Sequence, residues 1–223
     1  MIIAIDGPAG AGKSTVAKLL AKRLGFLYID TGAMYRALTH KALSRGIDLA
    51  DTAALGALAA ATTIALVPVA DGPLQVLLDG RDVSLDIRQP RITQHVSDVA
   101  KVKEVRQVML GLQRALGKSQ DSVMDGRDIG TVVFPDAQWK FFIDATFDER
   151  VNRRFKDMQA MGNTHVSRED VAKDLKNRDT IDSTREHAPL KKADDAVYID
   201  TTAMAIGHVV ETMAGRIGRT ASR

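Results

Sequence analysis

Gly7-Pro8-Ala9-Gly10-Ala11-Gly12-Lys13-Ser14 matches G-x-x-x-x-G-K-[ST] at every fixed position. The apolar run Ile2 to Ile5 stands before it. A helical periodicity with Val16, Leu19, Leu20 and Leu24 on one face follows, closed by Gly25 at a C′ position. Strand, glycine-rich loop and helix in that order are the context the motif requires. Glycines let successive backbone N–H groups turn inward around an anion, and the helix N-terminus adds its positive dipole end. Lys13 then reaches the outer phosphate oxygens, and Ser14, followed by Thr15, can ligate Mg²⁺. A nucleoside triphosphate site is expected.

Working outward, short apolar runs alternate with helical periods, the pattern of an α/β protein with a mainly parallel sheet. Five strands are expected: Ile2 to Ile5, Phe26 to Ile29, Ser122 to Met124, Trp139 to Ile143 and Val197 to Ile199. From about Thr63 to Val83 the period drops to two. Asp71-Gly72 and Asp79-Gly80 act there as turns between Ile64 to Val69, Leu74 to Leu78 and Arg81 to Val83, which implies a small antiparallel insert. Two helices follow, the second striped by Val105, Val108, Met109, Leu112 and Leu116 with Arg106 beside the stripe. A helix from Asp148 to Met161 packs through Val151, Phe155 and Met158. After the capping box Ser167 and Asp170, the next helix loses its apolar stripe past Leu175 and stays polar to His187.

No linker divides the 223 residues, so one domain is expected. Hydrophobic content of 45% and 26% charged residues suit a folded globular chain. There is no cysteine, hence no disulfide or thiolate metal site, and the five histidines lie too far apart in sequence for zinc. The chain starts in a core-like strand without a basic n-region, and the uncharged stretch from Ala53 to Ala70 is broken by Gly56, Thr62, Thr63 and Pro68. Neither export nor membrane insertion is expected, and the cytoplasm is the expected location. A net charge of +3, with both signs interspersed, argues against nucleic acid despite a pI near 9.2.

Asp125, at the end of the apolar run Val123-Met124, stands where a Walker-B carboxylate belongs, able to hold Mg²⁺ directly or through water. No guanine-reading Asn-Lys-x-Asp occurs; Lys176-Asn177-Arg178-Asp179 does not supply it. Gly126 follows Asp125 where a hydrolytic motor carries a water-orienting Glu. Transfer to a phosphate acceptor needs no general base, because that acceptor is already largely ionised, but it needs dense positive charge to hold two anions in line. Arg36, Arg127, Arg150, Arg153, Arg154, Arg178 and Arg185 supply it from loops, strand ends or polar helices. Arg178, Asp182 and Arg185 share one face if their helix persists.

From Ile2 to about Gly215 the chain resembles the bacterial cytidylate kinases. The likeness rests on the loop from Asp6 to Thr15, on Asp30-Thr31-Gly32-Ala33-Met34-Tyr35-Arg36, on the string from Asp125-Gly126-Arg127-Asp128 to Ala137, and on Arg185 with Ala188-Pro189-Leu190. It implies a nucleoside monophosphate kinase fold: a five-stranded parallel core, an acceptor-binding region over about 31–120 with its insert over about 63–100, and a short zinc-free lid over about 150–187. It implies ATP and Mg²⁺ as donor and cofactor, and CMP or dCMP as acceptor. Ser97, Arg106 and Asp128 would read cytosine with Thr31 near the base. Arg36 and Arg127 would hold the acceptor phosphate, and Arg178, Asp182 and Arg185 the sugar and phosphates. Lys13, Asp125, Arg127 and Arg178 form the implied catalytic set, with Arg150, Arg153 and Arg154 on the donor side. A monomer is expected. Two alternatives stand at this point: a P-loop kinase for another small acceptor, such as a different nucleoside monophosphate or shikimate, and a nucleotide-dependent nucleic-acid-binding protein.

Overall fold

The computed structural model describes residues 1–67, 69, 74–163 and 165–221, the side chains of 219–221 excepted, so the turn expected at Asp71-Gly72 lies outside the described residues. In chain order the elements are β1 (Ile2–Asp6), α1 (Lys13–Leu24), β2 (Leu27–Asp30), α2 (Thr31–Ser44), α3 (Thr52–Ala60), β3 (Ile64–Val67), β4 (Gln75–Leu78) and β5 (Arg81–Asp82). There follow α4 (Pro90–Ala100), α5 (Lys103–Ser119), β6 (Ser122–Asp125), β7 (Trp139–Asp144), α6 (Phe147–Ala160), α7 (Arg168–Thr184), β8 (Val197–Asp200) and α8 (Ile206–Ala221).

The expected five strands form one parallel sheet in the order β2-β6-β1-β7-β8, and β3-β4-β5 form the expected separate antiparallel sheet. Side chains alternate across the parallel sheet. Ala4, Ile29 and Met124 face a core shared with α2, α3, α4, α5 and the small sheet, while Ile3, Ile5, Val123 and Phe141 face α1 and α8. Helices therefore cover both faces of the sheet centre, which is why its strands are mostly apolar, while the edge strand β8 leaves Tyr198 53% exposed.

Each parallel strand runs one residue beyond its expected apolar run, and the added residue is always aspartate: Asp6, Asp30, Asp125, Asp144 and Asp200. The register aligns Asp30 with Asp125 and Asp144 with Asp200, so the carboxylates gather along one edge of the sheet. The crossover leaving β1 leads to one side and the one leaving β6 leads to the other, which opens a crevice at the carboxyl ends of these two neighbours.

A third, smaller apolar cluster of Val151, Met158, Val171 and Leu175 joins α6 to α7 and reaches Ala9 of the phosphate loop. The capping box at Ser167 and Asp170 forms as read, and it starts α7. That helix stops at Thr184 rather than continuing to His187. Arg185 is extended (φ −60°, ψ 142°), and Pro189 bars the helical conformation at Ala188, which takes φ 52° instead. Arg178, Asp182 and Arg185 consequently do not share one helix face; Arg185 swings back through the turn, its Nε donating to the Ala188 carbonyl at 2.8 Å. Arg36 likewise sits neither in a loop nor on a polar helix but on α2, most of whose residues are buried.

Candidate active site

The phosphate loop spans the gap from β1 to α1. Gly7 has φ +147°, and a Cβ there would stand 1.9 Å from the Ile143 carbonyl oxygen, so only glycine lets the loop leave between β1 and β7. Gly12 caps α1 in the left-handed region at φ 89°, leaving the first-turn N–H groups turned into the crevice. The Lys13 amine is buried and donates to the Pro8 carbonyl at 2.6 Å. Burial, and then the Arg127 charge, lower its pKa, while Asp125, Asp6 and Asp182 oppose the shift.

Asp125 lies across the loop from it. Ser14 Oγ donates to Asp125 Oδ2 at 2.7 Å, and the Tyr28 hydroxyl holds Oδ1 at 2.9 Å. Burial, with Asp30 nearby, raises the Asp125 pKa against the pull of Ser14, Lys13 and Tyr28. A hydroxyl and a carboxylate are hard oxygen donors of the kind Mg²⁺ selects, and two suffice when waters and phosphates complete the octahedron. The residues fit such an ion. No group of three or more His, Asp or Glu side chains able to hold a metal by itself occurs among the described residues.

The acceptor-side residues converge in a buried charge network. Asp128 accepts from Arg106 Nη2 and faces Arg185 Nη2 at 3.5 Å. Arg106 also donates to the Ala100 carbonyl at 3.2 Å and lies over the Tyr35 ring, 5.8 Å from its centroid. Asp182 accepts from Arg127 Nε at 2.8 Å and from Ser97 Oγ at 3.4 Å, with Arg185 Nη1 at 3.7 Å. Burial works against the ionised form of Asp182, yet Arg127 and Arg185 hold its carboxyl below the usual range. Arg36 pairs with Asp30 at 2.8 Å, and Asp30 also caps α2. Thr31 is buried, and its hydroxyl proton goes to the Asp125 carbonyl at 2.7 Å.

The arginines of α6 and α7 divide into two kinds. Arg150 donates to the Ala9 carbonyl at 3.1 Å and pairs with Asp179, which in turn accepts from the Ala9 N–H at 3.4 Å. Arg153 is bound to Glu149 and to the Thr201 carbonyl and hydroxyl. By contrast, the Nε atoms of Arg154 and Arg178 are buried without a hydrogen-bond partner. Arg178 is pushed down to about 10 by burial and by the neighbouring Arg127 and Arg154 charges. Asp174, 3.9 Å from Arg178, and Asp182, bonded to Arg127, partly offset this crowding, and Arg127 in turn acts on Lys13. Next to them α4, α6 and α7 enclose a groove of 510 Å³, lined by Thr93, Arg154, Met158, Val171 and Asp174 among others.

Four residues to which the sequence reading gives no role complete the site: Asp6, Tyr28, Asp30 and Asp179. Asp6 and Asp30 carry a legible signal, an aspartate closing an apolar run, before the glycine-rich loop in one case and at a helix start in the other. Nothing local marks Tyr28 or Asp179; only the β2–β6 pairing and the fold of α7 onto Ala9 bring them in.

A phosphate loop, a strand-end carboxylate bound to its Ser, and arginines of α6 packed against that loop define a P-loop phosphotransferase. Within that class the chain belongs to the cytidylate kinase family, whose description matches residues 3–219. It is similar to the cytidylate kinase of Desulforamulus reducens, 52% identical over 211 residues (95% of this chain, 94% of that one), and to that of Pelotomaculum thermopropionicum, 50% identical over 215 residues (96% and 95%). A solved structure of an uncharacterized protein from Eubacterium ventriosum shares the fold alone, with a TM-score of 0.50 and 14% identity over 98% of each chain. No helix among the described residues is long and apolar enough to cross a membrane.

Proposed function

We propose that the chain transfers the γ-phosphate of ATP to CMP and dCMP, giving ADP and the nucleoside diphosphate. The observation that carries the base assignment is the buried Arg106–Asp128 pair. Cytosine presents an amine donor at N4 beside acceptors at N3 and O2. It can enter between the two side chains by exchanging one charge-assisted bond for several, with Asp128 accepting from N4 and Arg106 and Ser97 donating to the ring acceptors. Uracil inverts two of these partners, and each buried mismatch costs about 1–3 kcal/mol. A preference for CMP over UMP on the order of 10² in kcat/KM follows.

Arg127 and Arg36 hold the acceptor phosphate, while Asp182 and Arg185 engage the sugar and Arg178 bridges toward the donor. The Thr31 hydroxyl, fixed by the Asp125 carbonyl, lies beside the base as an acceptor only. Lys13 leaves the Pro8 carbonyl for the β- and γ-phosphates, and Arg150, Arg153 and Arg154 flank the donor. Ser14 and Asp125 would hold Mg²⁺ with ATP, and the bound ion would supply positive charge against the phosphate oxygens. No residue need act as base, since the attacking phosphate oxygen is ionised.

Residues 150–187 form a lid. Their separate apolar cluster lets α6 and α7 move together, and closure brings Arg154 and Arg178 onto the phosphates while excluding water. All groups invoked come from one chain, so a monomer suffices. A cysteine-free protein is suited to the cytoplasm, where we place it. The test is a coupled ADP-release assay with ATP, Mg²⁺ and a panel of CMP, dCMP, UMP, AMP and shikimate, repeated with EDTA. Turnover of CMP no faster than of UMP, or undiminished by EDTA, would defeat the proposal.

A further inference from the structure

Asp6 is the last residue of β1, 5% exposed, and its carboxylate touches neither the phosphate loop it precedes nor any neighbouring side chain by hydrogen bond. Its two oxygens are instead spent on the opposite loop: Oδ1 accepts from the Ile129 N–H and Oδ2 from the Gly130 N–H, both at 2.8 Å. These are the first two residues after Asp128. They open the π-helical turn Ile129–Val133, whose own N–H groups at Val132 and Val133 return to the Asp128 carbonyl. The carboxylate thus caps that turn from another strand. Gly130 approaches so closely that a Cβ there would stand 3.4 Å from Asp6 Oδ2 and 3.2 Å from Cδ of Lys140, a side chain pinned by Asp195 and the Pro135 carbonyl.

We infer that Asp6 is a positioning residue for acceptor selectivity: by clamping the Ile129 and Gly130 amides it sets the backbone from which Asp128 meets the nucleobase. One buried carboxylate thereby joins the strand that launches the donor loop to the segment that reads the acceptor. The clamp acts through two hydrogen bonds at a buried carboxyl, where geometry is held tightly and where a shift of an ångström costs most in rate. The inference rests on the assignment of Asp128 to the cytosine amine.

The experiment compares Asp6→Asn with Asp128→Ala, measuring KM and kcat for CMP, UMP and ATP under saturating partner. An amide at position 6 keeps one acceptor and turns an N–H₂ toward an N–H, so one bond of the clamp is lost. Asp6→Asn should raise KM for CMP by about tenfold or more and narrow the CMP-to-UMP ratio several-fold, with KM for ATP within about twofold of the parent. A residue that merely supports the fold would lower the melting temperature without altering the ratio. An unchanged ratio, or equal losses toward CMP, UMP and ATP, overturns the inference. If Asp128→Ala changes the ratio and Asp6→Asn does not, the clamp fails and the base assignment stands. If Asp128→Ala itself costs CMP and UMP equally, the base assignment fails first. Should Asp6→Asn not fold, Gly130→Ala presses on the same contact from the other side. It must narrow the same ratio, or the inference is lost.

Discussion

Replacing Asp128 by alanine removes the one carboxylate paired with Arg106, and the surrounding contacts set the size of the effect. Asp128 is 5% exposed and Arg106 is 9% exposed, so the guanidinium left behind has little access to water. It keeps the Ala100 carbonyl and the Tyr35 ring but no directly bonded counter-charge, only the more distant Asp182. Arg185 loses less, because Asp182 and the Ala188 carbonyl remain beside it. Breaking a buried pair costs about 3–5 kcal/mol, and the retained partners of Arg185 place this case near about 3 kcal/mol. For a chain of this size that lowers Tm by about 6–12 °C. Catalysis should respond separately. Loss of a charged acceptor for the N4 amine removes about 1.5–3 kcal/mol from the transition-state complex with CMP, or about 10- to 200-fold in kcat/KM. UMP, whose O4 gains nothing from a carboxylate, should lose far less. A thermal melt and the coupled assay with both acceptors, run below the melting range of the variant, measure the two effects independently. Equal losses for CMP and UMP would show that Asp128 only neutralises its arginines, and would refute the base-reading argument even if the fall in Tm were as large as expected.

Lys13→Ala should reduce turnover by a factor on the order of 10³ or more with little change in Tm, because it removes the charge bridging the β- and γ-phosphates; near-normal kcat would take the loop out of the mechanism. Burial raises the Asp6 pKa from 3.8 to about 7 against the Ile129 and Gly130 amides and Lys13, which pull it down. A carboxyl raised by folding stabilises fully below its unfolded pKa and stops doing so as pH climbs through the folded one. The stability advantage of the parent over Asp6→Asn should therefore be greatest near pH 4 and shrink by up to about 4 kcal/mol by pH 8; a flat difference in denaturant titrations would refute this. Amide hydrogen exchange in α6 and α7 should slow when a bisubstrate analogue binds, and unchanged exchange at saturation would remove the lid from the mechanism.

What could be read from the chain alone was what depends on short stretches. The phosphate loop is legible because eight consecutive residues carry its geometry, with strand and helix signals on either side. The five strands are legible because each is a short, largely apolar run, the central ones buried on both faces, and the capping box at Ser167 because its partners are three residues apart. Asp125 could be picked out as the end of one such run. That Tyr28 and Ser14 hold its two oxygens could not, since the contact to Tyr28 depends on pairing between strands 97 residues apart. The aspartates of all five strands project at one edge only because the strands are parallel and in register. Arg106, Asp128, Asp182 and Arg185 were named through resemblance to a family. Their joining into one buried network was decided by the packing of α4, α5 and α7 around the end of β6, and by the turn at Ala188 that sends Arg185 back toward Asp128. Local propensity and periodicity act over a few residues and leave their mark in sequence. A charge buried against partners 22 to 85 residues away is placed by the whole core, and only the tertiary structure determines which side chains meet there.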